Sequence, residues 1–87
     1  KGYISLNKVA KSLHIGRNKM MAILRENNIL FRDGLDNIPF QRFVDSGYFC
    51  VNHKVGYDGL LHSVTKVSPK GVAYIHKLLK KIESEVA

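Results

Sequence analysis

Basic and amide side chains recur within one short stretch of the chain, and their types suit the phosphates and base edges of a nucleic acid. Arg17, Asn18, Lys19 and Arg25 lie in this stretch, and the first 25 residues contain six basic residues and no acidic one. Arginine and lysine bind phosphate or guanine, and asparagine forms paired hydrogen bonds with adenine. These residue types therefore favour recognition of a polyanion.

Residues for catalysis or metal binding do not form a comparable group in the sequence. Cys50 and His53 would point to opposite faces of a strand, and a cysteine–histidine nucleophile also needs an orienting third group. The four histidines lack the spacing of metal ligands, although His53 and His62 could face each other across a predicted hairpin. We expect no enzymatic activity, no metal site and no cofactor.

Length and charge narrow the class of protein. The chain has 87 residues, of which 45% are hydrophobic, and a net charge of +7, so we expect one small folded domain spanning residues 1–87. Residues 59–82 contain five lysines and no acid, whereas residues 26–58 contain three basic and five acidic residues. This distribution predicts a positive face that suits nucleic acid.

The sequence also indicates where such a protein acts. It contains no segment with the length of a membrane span and no secretory signal pattern, and a single cysteine fits a reducing compartment. We therefore expect a cytoplasmic protein that does not contact a membrane. The chain begins with Lys1 rather than Met, and we interpret it as a piece of a longer protein.

Two short amphipathic helices are predicted around a turn at residues 14–16. Ser5 is a suitable cap for the first helix, and the second runs from about Arg17 to Asn27, with Asn27–Asn28 as a left-handed stop. The pattern places the small Ala10 where the helices touch and His14 at the turn position that takes a positive φ. The predicted outward residues of the second helix are Arg17, Asn18, Lys19, Met21, Ala22 and Arg25.

The rest of the chain predicts a short strand, a hairpin and a last helix. Residues 29–31 read as a buried strand and 32–39 as a turn-rich loop, while 40–44 leave a helical turn and extended chain open. Residues 48–55 and 60–67 predict a hairpin with its tip at 56–59. Ser68–Pro69 starts a helix that runs to about Ile82. The aromatic residues predicted to lie in the core are Phe31, Phe40, Phe43, Phe49 and Tyr74.

This order of elements predicts an α+β, winged-helix-like domain, in which a helix-turn-helix is followed by a short strand, a β-hairpin and a C-terminal helix. In such a domain the second helix enters the major groove of DNA. Further contacts are expected from Lys8 on the first helix, from Lys54 and Tyr57 near the hairpin tip, and from Lys70 in the first turn of the last helix. Asp58 at the same tip opposes phosphate contact.

An ordered set of short motifs resembles the KilAC domain, the C-terminal domain of many phage and prophage antirepressor proteins. The motifs in this sequence are Asn37, Pro39, Gln41, Phe43, Gly47-Tyr48-Phe49 and Ser68-Pro69-Lys70-Gly71. Phe43 stands where the family pattern has tyrosine. The resemblance covers essentially the whole chain, and it implies a phage-derived regulator with a DNA-binding domain whose parent protein carries a different N-terminal domain.

Two classes of partner remain open at this stage. The first is double-stranded DNA, bound sequence-specifically through the second helix. The second is a protein, such as a phage repressor, captured without DNA, since an antirepressor acts by relieving a repressor. A homodimer through the last helix is also open, because Ile75, Leu78, Leu79 and Ile82 could exceed what a small core covers. An exposed basic face would favour DNA, and an exposed apolar patch would favour a protein.

Overall fold

The computed structural model of the protein describes residues 2–86, with side chains through residue 85, and it shows helices combined with antiparallel sheets. The α+β class predicted from the sequence is confirmed. In chain order the elements are β1 (Ile4–Ser5), α1 (Leu6–Ser12), α2 (Arg17–Glu26), β2 (Leu30–Asp33), β3 (Asp36–Pro39), α3 (Gln41–Asp45), β4 (Phe49–Val55), β5 (Leu61–Val67) and α4 (Pro69–Val86).

A three-stranded antiparallel sheet joins the two ends of the chain. Its strand order is β1-β5-β4, so the short strand before the helix pair lies beside the hairpin that follows much later. Ile4 is paired with Val67, and Phe49 is paired with Val67 from the other side. The hairpin of β4 and β5 with its tip at 56–59 was predicted and is confirmed.

The helix pair was also predicted closely. The Ser5 hydroxyl accepts a hydrogen bond from the Lys8 amide at 3.2 Å, as an N-cap does. α2 ends one residue before the predicted limit, and Asn28 takes the left-handed conformation with φ +58°. Ser5, α2 and the asparagine stop are therefore confirmed.

Replacing Ser5 by alanine should destabilise the domain by about 1 kcal/mol, because the Lys8 amide loses its capping acceptor. Urea unfolding followed by circular dichroism measures the difference. Ser12→Ala is the matched control, since Ser12 is exposed at the other end of α1 and the described residues offer its hydroxyl no hydrogen-bond partner. A control that loses as much stability as Ser5→Ala would contradict the capping role.

The predicted loop over residues 32–39 is wrong, because these residues form the β2–β3 hairpin. Asp33 pairs with Asp36, which leaves the two-residue turn Gly34-Leu35 with glycine at φ +63°, a φ pattern of tight hairpins. One side chain and one backbone amide of β5 hold the hairpin from outside it. The Thr65 hydroxyl donates to the Asn37 carbonyl at 2.6 Å, and the Ser63 amide donates to the Asp36 carboxylate at 3.1 Å.

The core lies where the helix pair, β2, the three-stranded sheet and α4 meet. The fully buried or nearly buried apolar residues are Leu6, Val9, Ala10, Met20, Met21, Leu24, Ile29, Leu30, Phe49, Val67 and Ile75. Phe43 and Tyr74 pack against this core, but Phe31 and Phe40 are 39% and 37% exposed. The core prediction is wrong for these two, which instead cover each other with ring centroids 5.1 Å apart.

The first turn of α4 is attached closely to the start of β4. The Ser68 hydroxyl donates to the Gly47 carbonyl at 2.6 Å and accepts from the Gly71 amide at 3.0 Å. The Ser68 amide donates to the Tyr48 carbonyl at 3.0 Å. A Cβ atom on Gly71 would overlap that same Tyr48 carbonyl oxygen. The residues from Ser68 to Gly71 are therefore a helix–strand joint.

α4 is longer than predicted, and part of its apolar face is already covered. Ile75 is buried, and Leu78 and Leu79 pack against the core. Residues 40–44, which the sequence left open, contribute to the short helix α3. None of the helices described is long and apolar enough to cross a membrane.

Candidate nucleic-acid interface

The turn between α1 and α2 fixes the position of α2. His14 takes φ +56°, the left-handed conformation expected at this position, and the Ile15 amide donates to the Ala10 carbonyl at 3.0 Å. Ala10 is 3% exposed, so a small residue does occupy the close contact between the helices. A larger side chain at residue 10 would push α1 away from α2.

The first turn of α2 is open to solvent and carries no acid. Arg17, Asn18 and Lys19 are all exposed. Gly16, the N-cap residue, supplies no side-chain acceptor to the first amides of the helix. A helix N-terminus with free amides and basic side chains favours anions. The predicted outward position of these three side chains agrees with the structure.

Of two other predicted contact residues of α2, one faces the core and the other lies on the outward face but is partly covered. Met21 is only 2% exposed, because it packs with Met20 and Leu24 on the core side of the helix. Its predicted outward position is wrong, although Met21 still forms part of the wall of the cleft between α2 and the β2–β3 hairpin. Ala22 is half-buried. Helical spacing puts Ala22 on one stripe with Asn18 and Glu26, so the outward face ends in an acid.

Arg25 is held by the β2–β3 hairpin. Its Nη1 donates to the Asn37 side-chain oxygen at 2.9 Å, and the side chain is half-buried. Arg32 lies directly opposite Asn37 in the β2–β3 ladder, so their side chains share a face of the hairpin. Arg17, Arg25 and Arg32 thus line one cleft of about 380 Å³ between α2 and the hairpin, together with Asn18 and Asn37.

Arg32 is the residue that sequence reasoning missed. It belonged to the segment read as a loop, where no side-chain direction could be predicted. Residues 30–33 are two apolar residues followed by two charged ones, so they show no alternation that would reveal a strand. Only the pairing with β3 brings Arg32 beside α2.

The tip of the β4–β5 hairpin lies outside this cleft. Lys54 and Tyr57 are exposed there, as predicted, and Lys54 pairs with His62 across the strands. The Asp58 carboxylate accepts hydrogen bonds from the Leu60 amide, which has the larger effect, and from His62. Both hydrogen bonds lower the pKa of Asp58. The tip therefore keeps a negative charge. It also exposes several apolar side chains, namely Val55, Leu60 and Leu61.

The remaining predicted contacts are spread over the surface. Lys8 is exposed on α1 and does not line the cleft. Lys70 is exposed, but its Nζ donates to the Ser46 carbonyl at 3.0 Å and lies 5.1 Å from the centre of the Tyr48 ring. Lys70 therefore has a structural role in the helix–strand joint formed by residues 68–71.

The basic residues carry charge that no nearby acid neutralises. Both ion pairs formed by the described side chains involve His62, with Asp58 at 3.0 Å and Asp36 at 3.9 Å. No lysine or arginine of the described part of the chain therefore lies within salt-bridge distance of a carboxylate. The positive potential of these residues is left for an external anion.

The cysteine and the histidines do not assemble. His53 pairs with Ser63 rather than with His62, so the two histidines are one position out of register. Cys50 is half-buried and free. Within residues 2–85 no group of three metal-ligating side chains is found.

Comparison with known proteins gives two matches. The sequence model of one protein family, the phage antirepressor protein KilAC domain, matches residues 1–82. The SPbeta prophage-derived protein YoqD of Bacillus subtilis (strain 168), named as a candidate antirepressor, is 36% identical over 83 residues. That alignment covers 92% of this chain and 33% of YoqD, so the chain spans about a third of its relative. No solved structure gives a significant match.

Proposed function

The chain belongs to the family of the phage antirepressor KilAC domain, and from this membership we propose that it is the double-stranded DNA-binding module of an antirepressor-type transcriptional regulator. In this proposal residues 1–87 form one domain of a longer protein. α2 enters the major groove with its N-terminal half leading, and it binds a specific site.

The observation that carries the proposal is the first turn of α2. Arg17, Asn18 and Lys19 are exposed together, without an acid, while the other side of the same helix is fixed in the core by Met20 and Leu24. A recognition helix needs both properties, since its side chains must reach base edges and its backbone must hold a fixed position.

The strand order supports a winged-helix-like arrangement. Because β1 leads directly into α1 and pairs with β5, the β4–β5 hairpin is attached to the start of the helix pair. We infer that this hairpin flanks α2 as a wing, with Lys54 and Tyr57 beside the DNA backbone. The ionised Asp58 limits how closely the tip approaches phosphate.

The outward side chains over residues 17–22 of α2 have separate roles in this proposal. Asn18 reads adenine, and Ala22 contacts a thymine methyl group. Arg17 and Lys19 bind phosphate or guanine, and Lys8 on α1 adds a phosphate contact. The free amides at the start of α2 add to the attraction for phosphate.

A salt titration of a labelled random duplex tests the proposal. The domain should bind the duplex in fluorescence anisotropy, and the logarithm of its affinity should fall linearly with the logarithm of salt concentration, by about 0.9 for each phosphate contacted. With phosphate contacts from Arg17, Lys19, Lys8 and Lys54, the slope should be about −3.6 or steeper. Absence of binding at low salt would refute the proposal and direct the search to a repressor protein as partner.

A further inference from the structure

A cleft lined by three arginines opens between α2 and the β2–β3 hairpin. Arg17 comes from the first turn of α2, Arg25 from its last turn and Arg32 from β2, and all three border the same space of about 380 Å³. The other polar side chains of the cleft are the amides of Asn18 and Asn37. Three separate parts of the fold therefore bring guanidinium groups to one place.

The hairpin is held in position to form this cleft. Asn37 accepts a hydrogen bond from Arg25 at 2.9 Å, and the Asn37 carbonyl accepts one from the Thr65 hydroxyl at 2.6 Å. Asn37 thereby links α2, β3 and β5. Because Arg32 is the cross-strand neighbour of Asn37, this linkage also fixes the backbone that carries Arg32.

The acids of the hairpin are turned away from the cleft. Asp33 and Asp36 are each adjacent in sequence to a cleft residue, and successive side chains of a strand point to opposite faces. Asp36 is occupied on that other face, where it accepts the Ser63 amide and lies 3.9 Å from His62. No acid lines the cleft among the residues described.

Three like charges without a neutralising acid repel one another, and a bound anion would remove that repulsion. Guanidinium groups match phosphate in geometry, because their planar forks donate two parallel hydrogen bonds to its oxygens. The cleft opens beside Asn18, which belongs to the exposed first turn of α2. A phosphate in the cleft would therefore lie next to the surface that we propose for reading bases.

We propose that this cleft binds a backbone phosphate of the DNA duplex, which makes the β2–β3 hairpin a second DNA-contacting element beside α2. The inference rests on the proposed function and extends it. We call the pair Arg25 and Arg32 the phosphate clamp. Because phosphate contacts set the register of a protein on DNA, the phosphate clamp determines which base pairs Asn18 reaches.

Arg32→Gln tests the clamp, with Arg42→Gln as the matched control. Arg42 is also exposed, but it lies on α3 above the Phe43 ring and does not border the cleft. Both variants lose one positive charge and keep a polar side chain. In the salt titration Arg32→Gln should lower the slope by about 0.9 and weaken binding about 10-fold, equally for duplexes of unrelated sequence. Arg42→Gln should bind as the parent does.

The outcomes separate the clamp from the proposed function. If the parent binds and both variants bind alike, the clamp is wrong and DNA binding by α2 stands. If the parent does not bind, both proposals fall. A second measurement is the melting temperature of parent and Arg32→Gln with and without inorganic phosphate, in buffers of matched ionic strength. It distinguishes binding of free phosphate from binding of DNA phosphate. Stabilisation of the parent alone, combined with an unchanged duplex slope in Arg32→Gln, would identify a site for free phosphate and overturn the assignment to DNA.

Discussion

Replacing Gly71 by alanine should destabilise the domain by about 3 kcal/mol, near the upper end of what overpacking costs. The added Cβ would overlap the Tyr48 carbonyl oxygen and lie 2.7 Å from Cγ1 of Val67. That carbonyl cannot retreat easily, since it accepts the Ser68 amide at 3.0 Å. For a domain of this size such a loss lowers Tm by about 15 °C, which differential scanning calorimetry measures.

The predicted change in stability has the opposite sign from the one that helix propensity predicts. In an ordinary helix, glycine to alanine is stabilising by up to about 1 kcal/mol, so helix propensity alone predicts a more stable variant. Gly16→Ala is the control, because Gly16 has φ −62° and nothing within 4 Å of an added Cβ. Gly16→Ala should cost no more than about 1 kcal/mol, which is the difference between glycine and alanine at an N-cap. A Gly71→Ala variant as stable as the parent would show that α4 does not approach β4 so closely.

Gly71 also explains part of the resemblance from which the family was inferred. The Ser-Pro-Lys-Gly motif is the helix–strand joint. In this joint Ser68 and Gly71 contact the residues just before β4. Gly47, another residue of the resemblance, has φ +83°, which favours glycine. These motifs therefore mark a packing requirement, and Lys70 is held in the same joint by Ser46. They identify the fold without locating its binding surface.

The elements that the sequence predicted well are those with local signals. Ser5, the positive φ at His14 and the Asn28 stop each depend on neighbouring residues, and so does the start of α4 at Pro69. The β2–β3 hairpin depends instead on residues far along the chain, since Ser63 and Thr65 of β5 hold it. A four-residue strand ending in proline has too little pattern to indicate such pairing.

The same distinction applies to the candidate site. The charge of α2 could be predicted from the sequence, but the direction of Met21 could not, because its helical position lies at the border between core and surface. Only the packing decides it, and Met21 is buried. The role of Asn37 was also hidden, since its hydrogen bond to Arg25 spans α2 and β3. The sequence thus indicated the charge of the candidate surface better than the residues that form it.

Reversing the charge of the exposed first turn of α2 should abolish most DNA binding. The double variant Arg17→Glu and Lys19→Glu removes two basic contacts and places two negative charges near phosphates. With about 1.5–3 kcal/mol for each charged hydrogen bond lost, we expect duplex affinity to fall about 100-fold or more at low salt. The salt slope should decrease by about 1.8. Folding should survive, because glutamate in the first turn of a helix is favourable.

The control must change the net charge equally at another place. Lys77→Glu with Lys81→Glu does so on the exposed face of α4, near Leu78 and away from the cleft. If binding depended only on overall charge, both double variants would weaken it alike, and α2 would not be the reading helix. A large loss for the α2 variant with a small one for the α4 variant assigns the contact to Arg17 and Lys19. Because Arg17 also borders the cleft lined by the three arginines, the α2 variant weakens the phosphate clamp as well, and the clamp is tested separately by Arg32→Gln.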